Sequence, residues 1–216
     1  MVFVDRPPVG LLADAVLTDN SHAAEVATQH LLDHGHRRVV YLGDDLSIAT
    51  AQQRRAGYTA SMRRAGLAGM VHHVDDLRSD RDAHTAIEAL MALDEPPTAL
   101  FAAQNMVTLG ALRALHDLDL QHRVALVGFD DLALADLVVP GLTVMAQDPV
   151  RIGTLTATRV FERLDGDSSP VSTQIVPATL LVRGSGEIPR RHPAPDLRPR
   201  RRPPRDRRDA ARAVTG

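Results

Sequence analysis

Short apolar runs alternate with helical patterns along most of this chain. "VVYLG" (39–43), "ALFAA" (99–103), "VALVGF" (124–129) and "LTVMA" (142–146) are nearly continuous in apolar residues. That pattern predicts buried strands, and "VHHV" (71–74) is a weaker one. Four helices are predicted between them. The first begins at Asn20 or Ser21, both suitable N-caps, and ends near His34, where Gly35 supplies a left-handed exit. The second covers about 50–65 with Ala51, Ala56, Tyr58, Met62 and Ala65 on one face and Gly66 as its stop. The third runs through "AHTAIEALMAL" until Pro96 and Pro97. The fourth, from Asn105 to about Leu118, carries Val107, Leu109, Leu112 and Leu115 at a period near 3.6.

Strands alternating with helices in this way predict an α/β fold, a parallel sheet with helices on both faces. Such sheets bind ligands beyond the carboxyl ends of their strands. The stretch "LVGFDD" (126–131) ends an apolar run in two carboxylates there. Consecutive residues of an extended chain point to opposite sides. The pair therefore reads as one pocket carboxylate, Asp130, and one cap, Asp131, for the following "LALADLV". A converging acid–base pair is the weaker reading.

The ends of the chain break the series. "MVFVDRP" and "AVLTDN" read as two strands with no helix between them. "QDPVRIGTLTATRVFERLDG" reads as an amphipathic helix from about Pro149, followed by a strand pair in "QIVPATLLVRGS". These pieces suggest a second lobe, entered near 148 and left near 177.

Composition narrows the chemistry. Zero Cys excludes disulfides, thiolate metal sites and cysteine nucleophiles. The sequence holds no Lys, which excludes the Gly-Lys-Ser/Thr phosphate loop and Schiff-base catalysis. No apolar run approaches the ~20 residues of a membrane span, and the start lacks an export-signal pattern, so the expected location is cytoplasmic. Residues 190–216 hold ten Arg against three Asp, a net charge of +7, and the rest holds fifteen Arg against twenty-four acids, a net of −9. The acidic body offers no basic stripe for a phosphate backbone. The Arg/Pro-rich 189–216 reads as a disordered tail. His30, Asp33, His34 and His36 have a spacing that could hold zinc, although His near a helix C-terminus is also favoured by the helix dipole. No catalytic residue, no metal and no cofactor are expected.

"VDRP", "AVLTDN", "HLLDHGHRRVVYLGD", "RRAGY", "MVTLGALRAL", "VALVGFDD", "PGLTVMAQD" and "LLVRGS" stand in the order and spacing of the lactose/galactose-repressor family, which the chain resembles over about 2–188. The resemblance implies a periplasmic-binding-protein-like fold with one complete lobe (19–147 and 178–188) and part of an N-terminal lobe (1–18 and 148–177). It implies the effector-sensing part of a transcription repressor, a small polar ligand such as a sugar or related metabolite as effector, a homodimer, and DNA contact only through a headpiece absent from this chain. The family's effector contacts fall on Asp5, Arg54, Asp130 and Gln147, with Gln104 where the family usually has Asn. An aromatic residue usual after "VHHV" is replaced by Arg78, which raises the expectation of an anionic or nucleoside-like effector. A solute-binding protein for sugar uptake is the alternative, but it would need an export signal.

Overall fold

The computed structural model describes residues 1–190, and the expected tail beyond Arg190 lies outside them. The chain order is β1 (Val2–Val4), β2 (Asp14–Thr18), α1 (Asn20–Asp33), β3 (Val39–Leu42), α2 (Ala49–Arg64), β4 (His72–Val74), α3 (Asp80–Met91), β5 (Ala99–Ala102), α4 (Asn105–Asp117), β6 (Ala125–Phe129), β7 (Thr143–Ala146), α5 (Pro149–Leu164), β8 (Thr173–Val176) and β9 (Thr179–Leu181).

Two sheets result. The larger has the order β4-β3-β5-β6-β7-β9, parallel except for β9, which runs antiparallel to β7 with Met145 opposite Leu180. The smaller is the parallel trio β1-β2-β8, with α5 packed on β1 and β2. The final strand pair expected from sequence is thus divided: β8 and β9 pair with different sheets, because only Pro177 and Ala178 separate them where the chain crosses over.

Period-two alternation sorts the core of the larger sheet. Tyr41, Phe101, Val127 and Phe129 face α1 and α2, where Leu31, Tyr58 and Met62 join them. Val40, Leu42, Leu100 and Leu126 face α3 and α4 with Ile87, Leu90 and Leu115. Within each helix pair a glycine sets the spacing. A Cβ on Gly57 would lie 2.1 Å from the Ser21 carbonyl oxygen of α1, and one on Gly110 2.2 Å from that of Asp80 in α3.

Several local expectations change. The N-cap of α1 is Asp19, whose carboxylate accepts from the His22 amide at 3.0 Å; Asn20 is turned inward and is buried. Ala56 and Ala65 are exposed, and Thr50, Arg54, Gly57 and Ser61 take the inner face of α2 instead. Helix α3 stops at Met91, well before Pro96. Segment 133–140 forms turns and bends, so it offers no helix for Asp131 to cap. Asp131 instead pairs with Arg183 through both its oxygens, at 2.7 and 2.8 Å, which lowers its pKa.

Candidate functional site

All five sequence-derived candidates lie in or near the carboxyl ends of strands, with Arg54 reaching the same region from α2. Asp5 follows β1, Gln104 follows β5, Asp130 follows β6 and Gln147 follows β7. Within the larger sheet, parallel strands carry their outgoing loops to one edge, which places Gln104, Asp130 and Gln147 there, whereas Asp5 belongs to the smaller sheet.

The centre is Arg54. It is 6% exposed, its Nε donates to Asn20 Oδ1 at 2.7 Å, and its Nη1 donates to the Ala103 carbonyl at 2.9 Å. Its guanidinium carbon sits 3.6 Å from the centroid of the Phe129 ring, a cation–π stack that fixes the plane of the fork. Burial lowers its pKa, and the charge of Asp130, then those of Asp5 and Asp44, oppose that effect. Such a guanidinium remains a cation at any physiological pH. Among the described residues Nη2 has no hydrogen-bond partner and Nη1 keeps a second N–H, so both nitrogens still have donors for a ligand.

A second chain of contacts joins the two crossing segments. Thr18 Oγ1, at the end of β2, donates to Gln147 Oε1 at 2.6 Å, and Gln147 Nε2 donates to Asp130 Oδ1 at 2.6 Å. Asp130 holds a left-handed backbone (φ 69°) with its amide bonded to the Met145 carbonyl at 2.9 Å. One carboxylate oxygen is thereby committed and Oδ2 remains. Asp5 also has positive φ (64°) and is exposed. Its carboxylate makes no hydrogen bond to the others among the described residues, and only its charge reaches Arg54.

Gln104 stands apart. Its Oε1 accepts from the Val107 amide at 2.9 Å, which makes it the N-cap of α4. Arg78 does not offer its charge to the site either: Asp45 and Asp76 hold it at 2.8 and 2.7 Å. Sequence reasoning missed Thr18, Asn20 and Asp44. The available signal was their position at or just after the carboxyl ends of strands.

The histidines disperse. His30 pairs with Glu187, His34 Nδ1 bonds the His30 carbonyl at 2.8 Å, and buried His36 bonds Thr98 Oγ1 at 2.9 Å and the Ile188 carbonyl at 2.8 Å. Asp33 takes Gln29. Among the described residues no group of three or more His, Cys, Asp or Glu is placed to hold a metal. Asp130 and Asp131 diverge to Gln147 and Arg183, so they do not converge on one substrate.

Comparison with known proteins shows the family. Residues 28–186 match the model of the periplasmic binding protein-like domain. The chain belongs to this family. Its relatives are regulators of the lactose/galactose-repressor type, and it covers the region of their effector-binding domain. The HTH-type transcriptional regulator PtxS of Pseudomonas aeruginosa is 36% identical over 190 residues, 86% of this chain and 54% of that protein. GalR of Escherichia coli is 28% identical over 192 residues, 88% of this chain and 56% of GalR. A LacI family regulator from Mycobacterium smegmatis has TM-score 0.74 at 27% identity, over 87% of this chain and 70% of that one. The chain spans about half the length of the curated relatives it matches. Among the described residues no helix is long and apolar enough to cross a membrane.

Proposed function

We propose that this periplasmic binding protein-like chain is the effector-sensing part of a cytoplasmic transcription repressor. It divides into a partial N-terminal lobe (1–18 and 148–177) and a C-terminal lobe (19–147 and 178–188). A small polyhydroxylated metabolite binds between them. Asp5, Arg54, Asp130 and Gln147 contact it, and Gln104 borders it. A carboxylate accepts from two hydroxyls, Arg54 Nη2 donates to a third, and Gln147 does both.

The observation that carries this reading is the Thr18–Gln147–Asp130 chain. Thr18 ends β2 of the smaller sheet and Asp130 follows β6 of the larger, so a ligand on Asp130 is coupled directly to the relation between the two sheets. A ligand that prefers one relation shifts its population. In a homodimer that shift would be passed to a DNA-reading headpiece, giving the coupling between effector and operator.

A thermal-unfolding screen against neutral pentoses and hexoses tests the sensing role. At least one should raise the midpoint in wild-type protein and not in Asp130→Ala. Stabilisation that survives Asp130→Ala would place the ligand elsewhere.

A further inference from the structure

We infer that Thr18 and Asn20 are positioning residues of the cleft: they tie Asp130 and Arg54, two charged ligand contacts, into one run of hydrogen bonds. This rests on the sensing function proposed above and deepens it.

Four hydrogen bonds form the run. Asp130 Oδ1 accepts from Gln147 Nε2 at 2.6 Å, and Gln147 Oε1 accepts from Thr18 Oγ1 at 2.6 Å. The Thr18 carbonyl accepts from Asn20 Nδ2 at 3.1 Å, and Asn20 Oδ1 accepts from Arg54 Nε at 2.7 Å. The two ends come back together, because Arg54 stacks on Phe129, the residue before Asp130. Every donor and acceptor is forced. Arg only donates and a main-chain carbonyl only accepts, so the Asn20 amide has one possible orientation. An ionised carboxylate only accepts, so Gln147 turns its nitrogen to Asp130 and its oxygen to Thr18, whose hydroxyl must donate.

Thr18 is where the two arms join. Its hydroxyl serves the carboxylate arm and its carbonyl serves the guanidinium arm. Both Thr18 and Asn20 are buried, so breaking either arm leaves a polar group unpaired away from water. Neither residue is among the proposed ligand contacts, and each acts by holding atoms that are. Thr18 also stands opposite Val176 at the end of the smaller sheet, so both charged contacts answer to one strand end.

Calorimetry at temperatures well below unfolding tests the carboxylate arm, with whichever of D-ribose, D-glucose and D-galactose stabilises the wild type. Thr18→Val removes the hydroxyl at similar shape and should weaken binding about threefold to tenfold. Thr18→Ser keeps the hydroxyl and should restore wild-type affinity. In a Gln147→Ala background Thr18→Val should have no further effect, since the hydroxyl acts only through Gln147. An undiminished loss there would make Thr18 a direct ligand contact and overturn the positioning role. Wild-type affinity in Thr18→Val would overturn it too, reducing the hydroxyl to a structural bond.

The guanidinium arm is read without any ligand, from solvent exchange of the Arg54 Nε–H proton by NMR. Exchange should quicken about tenfold or more in Asn20→Ala, as expected for losing a hydrogen bond from a charged group. Asn20→Asp, which keeps an acceptor for Arg54, should leave it slow. Should Asn20→Ala not fold, Asn20→Ser takes its place with the same expected result. Unchanged exchange would show that Phe129 and the Ala103 carbonyl hold Arg54 alone, and would overturn the inference. Silence from all three sugars would count against the sensing role, and the exchange rate would still decide the positioning.

Discussion

Arg54 lies flat on Phe129, 3.6 Å from guanidinium carbon to ring centroid, and so a residue of α2 and one of β6 are locked together beneath the cleft. Lys at this position keeps the charge and loses the flat fork. Arg54→Lys should therefore lower stability by about 2 kcal/mol, because Asn20 Oδ1 and the Ala103 carbonyl lose buried donors. Chemical denaturation measures it, and an unchanged midpoint would mean that these bonds are replaced by water without loss.

Gly57 permits α1 and α2 to touch. A Cβ there would stand 2.1 Å from Ser21 O and 3.0 Å from the Ala24 side chain, so the helices must separate. Gly57→Ala should cost about 1–3 kcal/mol despite its better helix propensity. Equal or greater stability of the variant would show that the helix pair shifts freely.

The inner strands were legible in the sequence because they are buried on both faces and so read as unbroken apolar runs; β3, β5 and β6 differ from expectation by one residue at an end. Asp130 was legible for the same reason, as a charge ending such a run. The partners that hold the cleft were not. Asn20 reads equally well as an N-cap, and only tertiary placement shows that Asp19 caps while Asn20 receives Arg54. Arg78 reads as a free cation although Asp76, two residues before it, takes its Nε; the second partner, Asp45, lies 33 residues away. Local pattern does not encode pairings at that range.

The smaller sheet is held against α5 by a charged cluster. Asp14, 2% exposed, pairs with Arg163 at 2.7 Å and Arg159 at 3.0 Å, and Arg159 reaches Asp167 at 2.6 Å. Removing one member strands the others, so Asp14→Ala should cost about 3 kcal/mol in denaturant unfolding. The hydrogen bond from Arg163 holds the Asp14 pKa well below the usual carboxylate value, and bonds from Ser169 and then Arg159 lower Asp167 to about 2. Depressed folded-state values stabilise the protein above the unfolded carboxylate pKa of about 4 and lose that contribution as pH falls through the folded ones. Stability should thus decline from about pH 4 downward, and less steeply in Asp14→Ala. Parallel profiles for the two proteins would remove Asp14 from the acid response.

The two sheets should also differ in hydrogen exchange. Every residue of β3, β5 and β6 is buried, whereas β1 has none buried and β8 only Val176. Opening of local units tracks such differences. Protection should be strong over 39–42, 99–102 and 125–129 and weak over 2–4 and 173–176, and uniform protection would contradict this ranking.

The most direct measurement of the central claim is calorimetric titration of wild-type, Asp130→Ala and His34→Ala proteins with whichever neutral sugar stabilises the wild type. Asp130→Ala removes a charged acceptor and the partner of Gln147, while His34 is bonded to the His30 carbonyl at the far end of α1 from the cleft. The account predicts binding weakened by about 1.5–3 kcal/mol in Asp130→Ala, the range for a hydrogen bond to a charged group, and unchanged in His34→Ala. Binding that is abolished by His34→Ala and untouched by Asp130→Ala would contradict it.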